Sequence, residues 1–161
     1  MQEIAGRPTI HPFLFIVGKA AGFFAWLMPA LSLAGKGSLH QTAGRAFDYL
    51  ALIALILGAV LILISSFALG KSIRIGLPTG ETVLRTKGIY RYSRNPMYVG
   101  VHLVTLAAML YTLKWWIILP GLFSIYIYHL IVLGEELFLE RRFGEAFRQY
   151  IQKTGRYFWK I

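Results

Sequence analysis

Thr86-Lys87-Gly88-Ile89-Tyr90-Arg91-Tyr92-Ser93-Arg94-Asn95-Pro96-Met97-Tyr98-Val99-Gly100 sets two arginines, three tyrosines and an Asn-Pro pair between two strongly apolar segments. Asn-Pro is a helix-start signal, with Asn95 as N-cap and Pro96 at the first helical position. A helix beginning there aims unpaired backbone N–H groups, with the charge of Arg91 and Arg94, at one spot suited to an anion. The stretch closes the long polar segment Lys71–Asn95 and opens an apolar run. The stretch therefore marks where a loop becomes a membrane helix.

The composition agrees. The 161 residues are one domain's worth of chain. A hydrophobic share of 57% and a mean hydropathy of +0.58 exceed what a soluble domain of this length can bury. Only 15% of residues are charged, and they cluster. The net charge of +10 sits in short segments between apolar runs, which suits anionic lipid headgroups and excludes nucleic acid as the expected partner. With no cysteine there is no disulfide, thiolate metal site or thiol nucleophile. The first apolar run is too long for the hydrophobic part of a cleavable signal peptide.

Working outward, the spacing predicts an all-α, polytopic membrane protein with four spans and a C-terminal amphipathic helix at the membrane surface. The first span is Phe13–Ala34, 22 residues, after a helix start at Pro12. Lys19 interrupts it near its end and is expected to snorkel. Gly18 and Gly22 form a small-xxx-small pair suited to a close helix contact. The second span is Phe47–Gly70, 24 residues, with Asp48 near its N-terminal end. Then comes the polar segment Lys71–Asn95, in which Gly76-Leu77-Pro78-Thr79-Gly80 signals a turn and Thr82-Val83-Leu84-Arg85 reads as extended. The third span, Met97–Leu113, and the fourth, Ile117–Leu133, have 17 residues each and make a short hairpin around Lys114-Trp115-Trp116. From Gly134 the texture changes. Leu139, Phe143, Phe147 and Tyr150 recur at helical spacing with charges on the other faces. Residues 1–70 and 71–161 together form a single membrane domain.

Four spans put the N-terminus, the Lys71–Asn95 segment and the C-terminal region on one side. That side carries thirteen basic residues: Arg7, six from Lys71 to Arg94 and six from Arg141 to Lys160. The other side has only Lys36, Arg45 and Lys114, so both termini are expected in the cytoplasm, at a cell membrane of prokaryotic type. The Asn95 helix start and Glu135-Glu136 then face the same compartment.

No G-x-G-x-x-G, H-E-x-x-H or G-x-S-x-G occurs. The four histidines show no metal-ligand spacing, and no metal site is expected. His102 and His129 fall inside spans three and four, where a polar side chain faces protein or a cavity. They are read as hydrogen-bonded packing residues or, alternatively, as substrate-side residues. What remains is an N–H-rich, positive helix start near two glutamates and several tyrosines. Such a pocket suits a zwitterionic cofactor with a cationic centre. Its carboxylate would turn to the helix start and arginine, its ammonium to glutamate, and its sulfonium or adenine to aromatic rings.

These residues resemble a known family, the membrane-embedded methyltransferases that include isoprenylcysteine carboxyl methyltransferase and the phospholipid N-methyltransferases. Their hallmark G-x-Y-R-x-x-R-[HN]-P-x-Y-x-G is similar to Gly88-Ile89-Tyr90-Arg91…Arg94-Asn95-Pro96-Met97-Tyr98-Val99-Gly100. Their acidic pair and Phe-Gly-x-x-[FY]-x-x-Tyr helix look like Glu135-Glu136 and Phe143-Gly144…Phe147…Tyr150. The likeness covers residues 82–156, and the first two spans carry none of it. It implies S-adenosyl-L-methionine as cofactor, bound by Thr82, Val83, Leu84, Arg85, Tyr90, Asn95, Pro96, Met97, Tyr98 and Glu135, with Gly100 in the same motif. It also implies membrane lipids as partners and a lipophilic methyl acceptor, the carboxylate or amine of a lipid or of a prenylated small molecule. Two departures stand out. Asn95 replaces the histidine usual in isoprenylcysteine-methylating members. Ile131 occupies the position of a substrate-binding arginine, a cation that Arg141, Arg142 or Arg156 would have to replace. Arg156, with His102 and His129, is accordingly placed on the substrate side.

Methyl transfer from a sulfonium is an in-line displacement, so positioning and exclusion of water supply most of the acceleration. A carboxylate acceptor needs no base, whereas an ammonium must first lose a proton. Glu136 is the expected base, and Arg94 is also placed among the catalytic residues. The competing expectations are an NADPH-dependent membrane reductase of the sterol-reductase type and a non-enzymatic lipid-binding protein.

Overall fold

The computed structural model describes residues 10–34, 44–69 and 83–158. Among the described residues, five α-helices and one 3₁₀ turn account for the regular structure, and there is no strand. They are α1 (Pro12–Leu33), α2 (Arg45–Leu69), the 3₁₀ turn Gly88–Arg91, α3 (Pro96–Thr112), α4 (Trp115–Phe143) and α5 (Glu145–Lys153). Three of them, α1, α2 and α4, are long and apolar enough to cross a membrane, and α3 is a shorter apolar helix of 17 residues. The chain is a helical membrane protein.

Local chemistry sets most of the ends. His11 caps α1 by accepting the Phe13 N–H on its Nδ1 at 3.3 Å, and Pro12 needs no partner for the N–H it lacks. Pro96 opens α3 in the same way behind Asn95. At the other end of α3, Leu113 takes a left-handed conformation (φ 47°) and returns its N–H to Met109 O at 2.8 Å. A non-glycine residue costs about 1–2 kcal/mol there, which the tight α3–α4 turn imposes.

The hairpin is longer on one arm than the apolar pattern suggested. α4 does not stop at Leu133; it runs 29 residues to Phe143 and carries Glu135, Glu136, Arg141 and Arg142 on the same rod. Nothing in Glu135-Glu136-Leu137-Phe138-Leu139-Glu140-Arg141-Arg142 opposes a helix, because these are mostly strong helix formers. The break comes at Gly144, whose positive φ of 53° ends α4 and starts α5. α5 buries Phe147 and Tyr150 and exposes most of its remaining residues.

α3 and α4 form the centre, with α2 laid chiefly along α3 and α1 chiefly against α4. Glycines allow both approaches. A Cβ on Gly100 would stand 2.7 Å from Gly58 O, and one on Gly58 would stand 2.8 Å from Gly100 O, so the α2 and α3 backbones touch there. Gly18 and Gly22 lie against Ile127 and Ser124 of α4, which is the close contact their spacing anticipated. Trp26 Nε1 donates to Thr105 Oγ1 at 2.9 Å and ties α1 to α3. The outward faces of α1 and α2 expose large apolar side chains such as Phe23, Leu57 and Phe67, as lipid-facing surfaces do. Gly76–Gly80 lies outside the described residues.

Candidate functional site

At one end of the bundle, the start of α3, the lower half of α4 and the segment after α5 meet. The link between them is a backbone tie. Arg94 N donates to Gly155 O at 3.0 Å and Asn95 N to Arg156 O at 3.2 Å, while Ser93 Oγ also donates to Arg156 O. Sixty residues apart in sequence, Ser93–Asn95 and Thr154–Arg156 thus lie side by side. Tyr150 Oη reinforces them by donating to Tyr90 O, and Thr154 Oγ1 by donating to Arg91 O.

Glu136 is the ionic centre of this tie. Arg94 grips its carboxylate with Nε and Nη2 at 3.0 and 3.1 Å and sends Nη1 to Thr154 O at 2.6 Å. Asn95 Nδ2 adds a bond at 2.9 Å, and Arg156 Nε another at 3.0 Å. The Arg94 and Glu136 side chains are only 8% and 9% exposed, so this is a buried, fork-shaped ion pair. Asn95 therefore stands at the N-cap position without capping; its side chain turns to Glu136 and to Arg156 O. The physical reason is competition, since a buried carboxylate is a stronger acceptor partner than a first-turn N–H is a donor.

Glu135, one residue earlier, is treated differently. Its Oε1 accepts the Tyr98 hydroxyl at 2.7 Å, and Lys19 of α1 lies within electrostatic reach. No hydrogen bond reaches Oε2 from the described residues. Lys19 also sits 4.1 Å over the Phe15 ring of its own helix. From Tyr98 a chain of rings runs inward: Tyr98 to Tyr128 (5.9 Å), Tyr128 to His102 (6.5 Å), His102 to Tyr157 (5.7 Å), Tyr157 to His129 (5.9 Å). Tyr157 Oη and His129 Nδ1 are 2.7 Å apart. Burial pushes the Tyr157 phenol up, with Arg156 opposing and Glu136 adding; it keeps its proton and can donate to that nitrogen. Burial, helped by the Glu135 charge, pushes Tyr90 up to about 12.

Of the residues singled out from the sequence, Arg94, Asn95, Tyr98, Glu135, Glu136, His102, His129 and Arg156 come together here. Tyr90 joins through its carbonyl. Pro96 is fully buried beneath the cluster, and Met97 is half-buried beside it. Gly100 points the other way, into the α2 crossing, and its contact is Gly58 and Ile62. Val83 and Arg85 are exposed, Leu84 is half-buried, none of the three lies in a helix, and Thr82 lies outside the described residues. Ile131 is core, 3% exposed, packed with Ile127 and Tyr128. Arg141 is exposed on α4, and Arg156 is spent in part on Glu136.

Sequence reasoning placed Arg156 on the substrate side but passed over the pairing of its segment, Thr154–Arg156, with Ser93–Asn95. Its one trace is Thr154-Gly155, a helix stop between two aromatic runs. Lys19 had a clearer signal, being a lone charge in an apolar helix. A separate recess of about 320 Å³ lies towards the other end of the bundle, bounded by Trp26, Pro29, Asp48, Ala51, Val104 and Tyr111. Its walls are nearly all apolar, and it shares no residue with the cluster around Glu135.

A membrane helical hairpin with a charged and aromatic site at one end is the class defined by these features. A model of the phospholipid methyltransferase family matches residues 47–146, well over half the chain. The protein belongs to the phospholipid methyltransferase family. The match spans α2, α3 and α4 and reaches the start of α5, so it includes Tyr98, His102 and both glutamates. No curated protein and no solved structure matches the chain.

Proposed function

We propose that the protein is an S-adenosylmethionine-dependent methyltransferase acting on a lipophilic acceptor at the cytoplasmic face of the membrane. Family membership supports methyl transfer to a lipid. The observation that carries the cofactor side is Glu135, a half-buried carboxylate held by Tyr98 on one oxygen, with no donor from the described residues on the other. When bound, the cofactor supplies a methyl group on a sulfonium.

The residues present fit such a group. Glu135 Oε2 takes its ammonium. The first-turn N–H groups of α3, at Met97 and Tyr98, take its carboxylate behind Asn95 and Pro96. The rings of Tyr98 and Tyr128, 5.9 Å apart, lie beside its cationic centre. Val83, Leu84 and Arg85, leading into the Tyr90 turn, flank it. Arg94, whose three nitrogens are all engaged, acts through Glu136 and Asn95 and does not meet the cofactor. Glu136 likewise serves to fix Arg94, Asn95 and Arg156, because both its oxygens are occupied by donors. The acceptor lies deeper, against His102 and His129. The exposed part of Arg156, whose side chain is 37% exposed, remains for the acceptor's anionic group.

The bias of thirteen basic residues against three supports a cytoplasmic site. Calorimetric titration of purified protein with S-adenosylmethionine tests the cofactor: saturable binding is expected, and its absence sinks the reading. A labelled-methyl assay on total lipid extract then identifies the acceptor class.

A further inference from the structure

We propose that His102 is the proton acceptor for an ammonium-bearing methyl acceptor, so that the methyl group is delivered to nitrogen. The proposal rests on the methyltransferase reading above and adds the residue that decides the acceptor's chemistry.

His102 Nδ1 is buried and has no hydrogen-bond partner among the described residues. Leaving such an atom unpaired costs about 1–3 kcal/mol, so the site is built for a donor that arrives from outside. The histidine lies four residues after Tyr98 on the same face of α3, one turn deeper than the Glu135 contact. Its ring stands edge-on to Tyr128 and Tyr157, at 6.5 and 5.7 Å, inside the chain of rings that leads from Glu135. Aromatic walls of this kind attract a cation.

The neighbouring acceptors are already used. Glu136 is saturated by Arg94, Asn95 and Arg156. His129 Nδ1 faces the Tyr157 hydroxyl. Glu135 is given to the cofactor's ammonium in the reading above. His102 Nδ1 is the acceptor left. In the tautomer that carries its proton on Nε2, His102 Nδ1 is an acceptor, which an ammonium can satisfy and a carboxylate, bringing only lone pairs, cannot.

The step balances without a further reagent. One N–H proton of R–NH₃⁺ passes to Nδ1 of the neutral imidazole, which carries its other proton on Nε2 and becomes imidazolium. The freed amine lone pair forms the N–C bond to the methyl group as the methyl C–S bond breaks, and the pair in that bond stays on sulfur. The imidazolium returns its proton to water when the methylated ammonium leaves.

The groups that face His102 and would shape a pH profile are Tyr98 on its own helix, Tyr128, His129 and Glu135 on α4, Tyr157 after α5, and Lys19 on α1. The titratable residues of α2, namely Arg45, Asp48 and Tyr49, lie at its far end.

The test compares wild type with His102→Gln, using a diacyl phospholipid with an ethanolamine head group as acceptor. The wild-type kcat/KM is expected to reach a plateau above neutral pH. For the variant we expect a loss of about 10²- to 10⁴-fold at pH 7, a rate that keeps rising with pH as free amine appears, and partial rescue by added imidazole. Binding of S-adenosylhomocysteine should stay within about threefold, as for a residue that meets only the acceptor. A second measurement needs no turnover. The His102 ring resonance of isotopically labelled wild type should move when the ethanolamine lipid is added and not when a choline lipid is added. An unchanged rate and pH profile in the variant overturns the proposal, and so does a His102 resonance indifferent to the ammonium. If the wild type fails to bind S-adenosylmethionine, the methyltransferase reading falls, while the resonance still decides whether His102 meets an ammonium.

Discussion

Glu135 and Glu136 are neighbours on one helix, yet they belong to two regions of opposite character. Around Glu136 both carboxylate oxygens are taken: two guanidiniums and an amide close on them, and three backbone carbonyls accept from the same stretch of donors. Around Glu135 and His102 the described residues leave openings, with one hydroxyl on one carboxylate oxygen and a buried imidazole nitrogen that none of them reaches. A completed polar network holds a shape; an incomplete one waits for a ligand. The difference teaches that, of two acidic residues at a site, the more heavily bonded is the less available for chemistry.

Three substitutions put this contrast under pressure. The largest effect is expected from Glu136→Ala, which leaves the buried Arg94 guanidinium without its anion and should cost about 3–5 kcal/mol. Thermal or denaturant unfolding in detergent reads it, and limited proteolysis should show the segment after α5 released. Next comes Glu135→Gln. Unfolding should shift by less than about 1 kcal/mol, while cofactor affinity measured by calorimetry falls by about 1.5–3 kcal/mol, the worth of a charge-assisted bond. Equal destabilisation by the two variants would erase the distinction between them. The smallest effect belongs to Tyr157→Phe, which removes one hydroxyl from His129 and should lower stability by about 1 kcal/mol. Its use is to show whether the two regions are coupled, since Tyr157 follows Arg156 and touches both histidines. A double variant with Glu136→Ala that departs from additivity would show that they are.

The helices were largely legible in the sequence because apolar runs, Asn95-Pro96 and Pro12 act locally. The end of α4 was not legible in the same way. Polarity changes at Gly134, but the helix ends at Gly144, since a change of solvent does not break hydrogen bonds and a left-handed residue does. The gathering of Arg94, Tyr98, Glu135 and Glu136 could be anticipated from topology, but how they divide the work could not. Which carboxylate Arg94 grips depends on where Thr154 and Arg156 return, a contact across sixty residues that no local pattern encodes. Gly100 shows the same limit. Within its motif it reads as part of the site, and only the packing of α2 reveals the Gly58 backbone against it.

The pairing of Ser93–Asn95 with Thr154–Arg156 also has a consequence in time. The α3–α4 hairpin, made of helices adjacent in the chain, has what it needs to assemble as soon as both have been synthesised. The tie does not, because its second half is translated only after α5, and closing so long a loop is a slow step. The site is thus completed later than the hairpin that carries it: Arg94 has no Thr154 carbonyl to meet, and Glu136 only part of its clasp, until the chain comes back.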